Sequence, residues 1–227
     1  MPVEHFLPLV LLGALLGLDV VSFPQSMVSR PIVAATLAGI VTGRPMSGLI
    51  AGAALELIAL ETLPFGASRY PEWGSASVVG GALYALQPDG RAGALSMAIL
   101  GALATGWIGG GSMVALRRLN GEYARVARER VAAGSWPAVR GLMLGGIGAD
   151  LVRGGAITAL ALLAMQPITA AALHIWTVDQ RVSRAVSVAV LASVAAGASW
   201  KLFHGSGVAR WLFAGGLAVG LAILASQ

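Results

Sequence analysis

Three carboxylates stand in surroundings where water is scarce, and their chemistry has to be explained first. Glu56 lies within residues 47–60, SGLIAGAALELIAL, and is the only charge in that run. Asp19 closes an apolar stretch over 6–18, and Asp150 sits inside another over 141–165. A charged side chain at a bilayer centre costs about 2.5–3.5 kcal/mol on insertion scales, so such a residue persists where it faces protein or a watery cavity. On a helix, Glu56 shares a face with Gly52, Ala53 and Leu60. The small neighbours leave room beside a carboxylate that accepts two or more charge-assisted hydrogen bonds. A ligand rich in hydroxyls suits that geometry. A proton relay would use the same residue type, and an ion pair with Arg30 or Arg153 would make the acid structural.

Asp19 precedes Ser22, Gln25 and Ser26, with Pro24 interrupting the helix, and together these side chains form a hydroxyl-reading surface. Asp150 and Arg153 are three residues apart on one helical face and can neutralise one another, which points to packing. His5, His174 and His204 have no second ligand or carboxylate at useful spacing. No H-E-x-x-H, P-loop or G-x-S-x-G pattern is present, and Gly109-Gly110-Gly111 lacks the Lys-Ser/Thr of a phosphate loop. With no cysteine, thiol catalysis and Cys-ligated metal are excluded. No catalytic residue, metal or cofactor is therefore expected.

The elements that must position these acids are membrane helices. Charged residues are 11% of the chain, against about 25% in soluble domains. A single membrane domain over 1–227 is expected, and its first apolar segment reads as uncleaved. The net charge of +5 is almost all Arg and marks topology rather than nucleic-acid binding. Six arginines against two glutamates in 117–140 place that interval on the cytoplasmic side, as a loop or as a short amphipathic helix on the anionic leaflet.

A span needs about 20 mostly apolar residues. The stretch 92–116 meets this cleanly, and 141–165 meets it with Asp150 and Arg153 inside. The stretches 6–18, 32–43, 47–60, 78–86, 168–176 and 185–200 fall short, and 211–226 is borderline. Short apolar pieces broken by Pro and Gly predict an all-α, polytopic, transporter-like protein with broken or re-entrant helices. Gly43-Arg44-Pro45 divides one pair of pieces, and 62–74 (TLPFGASRYPEWG) supplies a hairpin tip. Small-x-x-x-small pairs let helix backbones approach closely; G-x-x-x-G occurs at 13/17, 39/43, 48/52, 106/110, 141/145 and 216/220, where about four would arise by chance from 31 glycines. The pentapeptides at 48–52 and 141–145 echo one another before Glu56 and Asp150, a thin sign of an internal repeat.

An ordered series of blocks carries a resemblance. Arg30-Pro31, the GIVTG of 39–43, the GLIAGAALEL of 48–57 and the GASRYPE of 66–72 follow in an order and at a spacing that fit one known family without gaps. Over about 18–86 the chain resembles the IIC membrane subunit of the mannose (mannose–fructose–sorbose) family of the bacterial phosphotransferase system. That resemblance implies a sugar permease subunit in the inner membrane that is no enzyme by itself. It implies pairing with a IID membrane subunit in an oligomer, phosphohistidines on IIA and IIB partners, and elevator-like movement. It maps the family's acids onto Glu56 and Glu72, matches Asp19, and with Gln25 and Gly66 completes the expected sugar contacts. Glu61, Arg69 and Tyr70 depart from the family pattern and bear on which sugar is taken. The rival readings are a proton-coupled secondary transporter and a non-transporting membrane scaffold or sensor.

Overall fold

The computed structural model describes residues 3–19, 22, 24–60, 70–88, 91–203 and 207–225. Every regular element among them is an α-helix: α1 (Val3–Asp19), α2 (Pro31–Val41), α3 (Pro45–Ala59), α4 (Trp73–Ala85), α5 (Ala94–Ala132), α6 (Trp136–His174), α7 (Gln180–Phe203) and α8 (Gly207–Ala225). Ala94–Ala132, Trp136–His174 and Gln180–Lys201 are long and apolar enough to cross a membrane. The all-α membrane architecture expected from the apolar runs is the one observed.

The short helices follow from their punctuation. Pro31 and Pro45 occupy the first turns of α2 and α3, where a missing N–H costs nothing. After α2 the chain turns on Gly43 at φ +75, with Arg44 N–H bonded to the Gly39 carbonyl at 2.7 Å. At 1.5 Å per residue, α2 and α3 rise about 16 and 22 Å, short of a hydrocarbon core of about 30 Å. They form a broken hairpin, with its break at 43–45 as the sequence reading has it. Of the expected tip at 62–74, residues 62–69 lie outside the described residues; 70–72 are non-helical and lead into α4.

Two expectations change. Residues 117–140 are helical except for the turn at 133–135, so they extend α5 and α6 rather than forming a separate loop or a detached surface helix. Leu119, Tyr123 and Val126 keep helical spacing, the intervening Ala, Arg and Glu are strong helix formers, and Arg125 Nε bonds Glu122 Oε2 at 3.0 Å. Only Gly134, left-handed at φ +76, stops the run. Residues 168–176 form no separate piece either, because α6 continues through Pro167 to His174.

α4 is the central post, contacting α1, α2, α3, α5 and α6. Every residue in it but Tyr84 is buried. Its sequence WGSASVVGGALYA is small on all sides, so neighbours can approach from every direction. A Cβ on Gly81 would lie 2.6 Å from the Ala35 carbonyl oxygen, and one on Gly74 would lie 2.3 Å from that of Leu16. Within the hairpin, Gly39 and Gly48 face each other, and a Cβ on either would meet the other's Cα at 2.8 Å. The six G-x-x-x-G pairs therefore divide. Those at 13/17, 48/52 and 106/110 are packed; Gly39 is packed while Gly43 serves the turn; Gly141, Gly145 and Gly216 have nothing within 4 Å. The echoing pentapeptides thus sit in opposite environments.

Gly48→Ala is expected to destabilise the protein by about 1–3 kcal/mol through overpacking. Gly145→Ala, in open space on an exposed helix, is expected to be neutral or slightly stabilising, by up to about 1 kcal/mol. Reversible unfolding in mixed micelles reads both.

Candidate functional site

The acids take different partners. Glu56 sits two turns beyond the Gly48 contact, where the open end of the hairpin brings it against the start of α2. Its Oε1 accepts from the Arg30 guanidinium and its Oε2 from the Ile32 N–H at 3.2 Å. Arg30, the N-cap residue of α2, makes no side-chain cap of its own, so Glu56 supplies the missing anion at that helix start. This is the ion pair with Arg30 weighed among the sequence alternatives, and the carboxylate is engaged by it.

Asp19, 1% exposed, ends α1. One oxygen accepts from Ser26 N–H at 2.7 Å and Ser26 Oγ at 3.1 Å; the other accepts from Ser29 N–H at 3.0 Å and Ser29 Oγ at 2.9 Å. It binds the segment that follows it in the chain, where Gln25 and Met27 both adopt left-handed backbone, at φ 59 and 62. Four donors hold two strained residues in place.

Asp150 and Arg153 form the buried pair expected from their spacing, with Arg153 Nε on Asp150 Oδ1 at 2.8 Å. Asp150 Oδ2 accepts from Ser22 Oγ at 2.6 Å. Arg153 Nη1 donates to Ser112 Oγ at 3.3 Å and Nη2 to the Gly17 carbonyl at 3.4 Å. The pair joins α6 to α1, to α5 and to the segment after α1.

Glu72 differs from the others. It is 1% exposed and caps α4, its Oε1 accepting from Ser75 N–H at 3.1 Å, while its own N–H donates to the Gly106 carbonyl at 2.9 Å. Its Oε2 is buried and has no hydrogen-bond partner among the described residues. A Cβ on Gly109 would lie 3.0 Å from the Glu72 Cβ and 3.3 Å from that oxygen, so α5 packs closely against Glu72 only because it has no side chain there. Beside it, Ser75 Oγ donates towards the carbonyls of Gly13 at 3.3 Å and Gly154 at 3.4 Å. Ser112 Oγ returns to the Gly109 carbonyl at 2.7 Å, so a polar path runs from Gly109 through Ser112 to Arg153, Asp150 and Ser22, with Glu72 packed against its Gly109 end. One turn further along α5, Arg117 donates to Tyr70 Oη at 2.9 Å and lies 5.5 Å from that ring's centre. A cavity of about 360 Å³ opens at Ser22, Arg117, Asn120 and Asp150.

Of the sequence-expected contacts, the structure places Glu72 against the polar path and connects Asp19 and Gln25 to it through the segment carrying Ser22. Glu56 is set apart in the hairpin, and Gly66 lies outside the described residues. Ser75, Ser112, Arg117 and Asn120 were missed. Only Ser75 had a local signal, as the third residue after a capping acid; the others join the site through helix pairing.

The described residues thus form a helical membrane core that buries a carboxylate at the start of α4, with a cavity further along α5. Residues 5–200 match the profile of the family described as the sorbose-specific IIC component of the phosphotransferase system, and the chain belongs to that family. It is thus a membrane permease subunit of a sugar phosphotransferase system, working with other subunits of that system. Two solved structures share the fold. One, described as a membrane protein, has a TM-score of 0.74 at 19% identity, covering 100% of this chain and 93% of its own. The other is the mannose transporter ManYZ in complex with microcin E492, with a TM-score of 0.62 at 18% identity, covering 97% and 87%. No curated protein sequence matches.

Removing Asp150 alone strands a buried guanidinium. Asp150→Ala is expected to cost about 3–5 kcal/mol, and Asp150→Ala with Arg153→Met to recover most of it, since an apolar pair of similar volume avoids burying charge. Unfolding in mixed micelles measures both.

Proposed function

We propose that this chain is the IIC subunit of a mannose-type system in the bacterial cytoplasmic membrane, pairing with a IID subunit in an oligomer and presenting a hexose to IIA and IIB phosphocarriers. The observation that carries the binding site is the bare Oε2 of Glu72. A buried carboxylate oxygen without a donor is costly, and a sugar hydroxyl supplies one. Phosphoryl transfer belongs to the phosphocarriers; this chain binds the sugar and orients it.

The roles divide accordingly. Glu72 accepts a sugar hydroxyl, with Ser75 beside it at the positive end of α4. Asp19 and Gln25 hold the segment that brings Ser22 to Asp150. Glu56 ties the hairpin shut through Arg30, and Gly66, outside the described residues, keeps its proposed role as a sugar contact. The arginines of 117–140 set that end of α5 and α6 on the cytoplasmic side, where the phosphocarriers act. Elevator-like movement of the hairpin and α4 carries the sugar between the two sides.

Calorimetry on the purified complex with mannose, fructose and sorbose tests the assignment. Glu72→Gln is expected to weaken binding of the preferred hexose by about tenfold or more, the worth of a hydrogen bond to a charged group, whereas Glu56→Gln changes it by less than about threefold. Unchanged affinity in Glu72→Gln overturns the role of Glu72. Uptake that needs a proton gradient but no phosphoenolpyruvate overturns the phosphotransferase reading.

A further inference from the structure

Beyond Glu72 the facing sides of α5 and α6 continue toward the arginine-rich turn. On α5, Gly109, Met113, Arg117 and Asn120 recur at spacings of three and four and share one face; on α6, Arg153, Asp150, Gly146 and Met143 do the same. The two stripes run antiparallel and meet at Arg153 with Ser112 and at Gly146 with Asn120, where a Cβ on Gly146 would lie 3.7 Å from the Asn120 amide nitrogen. From Gly109 to Asn120 the rise is about 16 Å. The cavity of about 360 Å³ lies at the far end of this track, closed on a third side by Ser22.

Its walls carry two kinds of group. Asn120 supplies an amide and Arg117, Ser22 and Asp150 a polar rim already joined to Tyr70, Arg153 and one another, while Met113, Leu116 and Met143 supply apolar surface. A hexose needs both, since its hydroxyls donate and accept and its ring presents a C–H face. An anion would face the Asp150 carboxylate, and a lipid chain would lie against the Asn120 amide with nothing to bond it. The volume falls within the range of about 300–1,000 Å³ found for small-molecule sites. The cavity is also tied to Glu72. Arg117 on its wall holds Tyr70, two residues before Glu72, and the Tyr70 carbonyl lies where a Cβ on Gly110 would be 2.2 Å away.

We propose that this cavity is a second sugar station, on the side of the arginine-rich turn, which holds the hexose after it leaves Glu72 and before the phosphocarriers take it. The proposal rests on the Glu72 reading of the primary site and adds a separate one. The absence of cysteine from the chain makes it directly testable. In the purified complex, Asn120→Cys places one thiol on the cavity wall, and Val126→Cys, on the exposed helix beyond it, serves as a control. Labelling by a small maleimide, followed by mass spectrometry of this chain, is measured with and without mannose, fructose and sorbose. The hexose that binds is expected to slow labelling at position 120 by about tenfold at ten times its dissociation constant, by mass action, and to leave position 126 unchanged.

Met143→Trp, which fills the cavity from a half-exposed position on α6, is expected to lower phosphoenolpyruvate-dependent phosphorylation while calorimetric affinity stays within about twofold. Full labelling at 120 under saturating sugar, or equal slowing at 126, overturns the station. So does parallel loss of affinity and phosphorylation in Met143→Trp. Calorimetry reads the primary site independently: affinity that falls in Glu72→Gln without protection at 120 removes the station alone, and sugar binding that ignores Glu72 removes the primary assignment.

Discussion

The close approach of helix backbones around α4 is the constraint on which the rest depends. In a membrane, apolar side chains gain little by leaving lipid for one another, so helices associate by dispersion contact, and contact is greatest where side chains are smallest. Gly74 and Gly81 bring α1 and α2 to within a Cβ's width of α4, and Gly80 accepts Leu55 of α3 and Ala102 of α5. An intruding methyl at any of these points would meet backbone or buried side chain rather than a flexible surface group. The hairpin of α2 and α3, too short to cross the membrane, is stable only because it lies against this post and is pinned by Gly39 on Gly48.

That tight frame leaves polar groups nowhere to go but toward one another. Asp19 is saturated by two serines, Asp150 by Arg153 and Ser22, and Glu56 by Arg30 and a helix N–H. Each buried charge is thereby compensated inside the protein, as the low dielectric demands. Glu72 is half compensated, through Ser75, and the remaining oxygen stands next to a glycine on the long helix α5. Among the described residues, Glu72 is the exception in a core that otherwise satisfies its carboxylates, and the proposed sugar site rests on it.

Much of the fold was legible in the chain. The break between α2 and α3 announced itself through Gly43-Arg44-Pro45, because Pro and left-handed Gly are local signals that tertiary context seldom overrides. The Asp150 and Arg153 pair was legible for the same reason, being a contact within one helix. The helical spacing of Leu119, Tyr123 and Val126 allows a helix within 117–140, but only the structure shows that it continues α5 and α6 rather than standing apart as a loop or a surface helix. The G-x-x-x-G pairs could not be sorted by spacing alone: Gly48 is buried against α2 and Gly145 is open, in near-identical pentapeptides.

By itself, then, the sequence determined a helical membrane protein, its broken hairpin, its family and the acids that need an explanation, since composition, periodicity and local turn chemistry are properties of neighbouring residues. Only the tertiary structure decided which partners each acid takes. The partner of Glu56 lies 26 residues away and that of Asp150 on Ser22 lies 128 away, and whether a carboxylate is clamped or left with a bare oxygen depends on which helix face arrives beside it. Long-range packing sets that, because the free energy of a buried charge is fixed by its nearest few groups and not by its place in the chain.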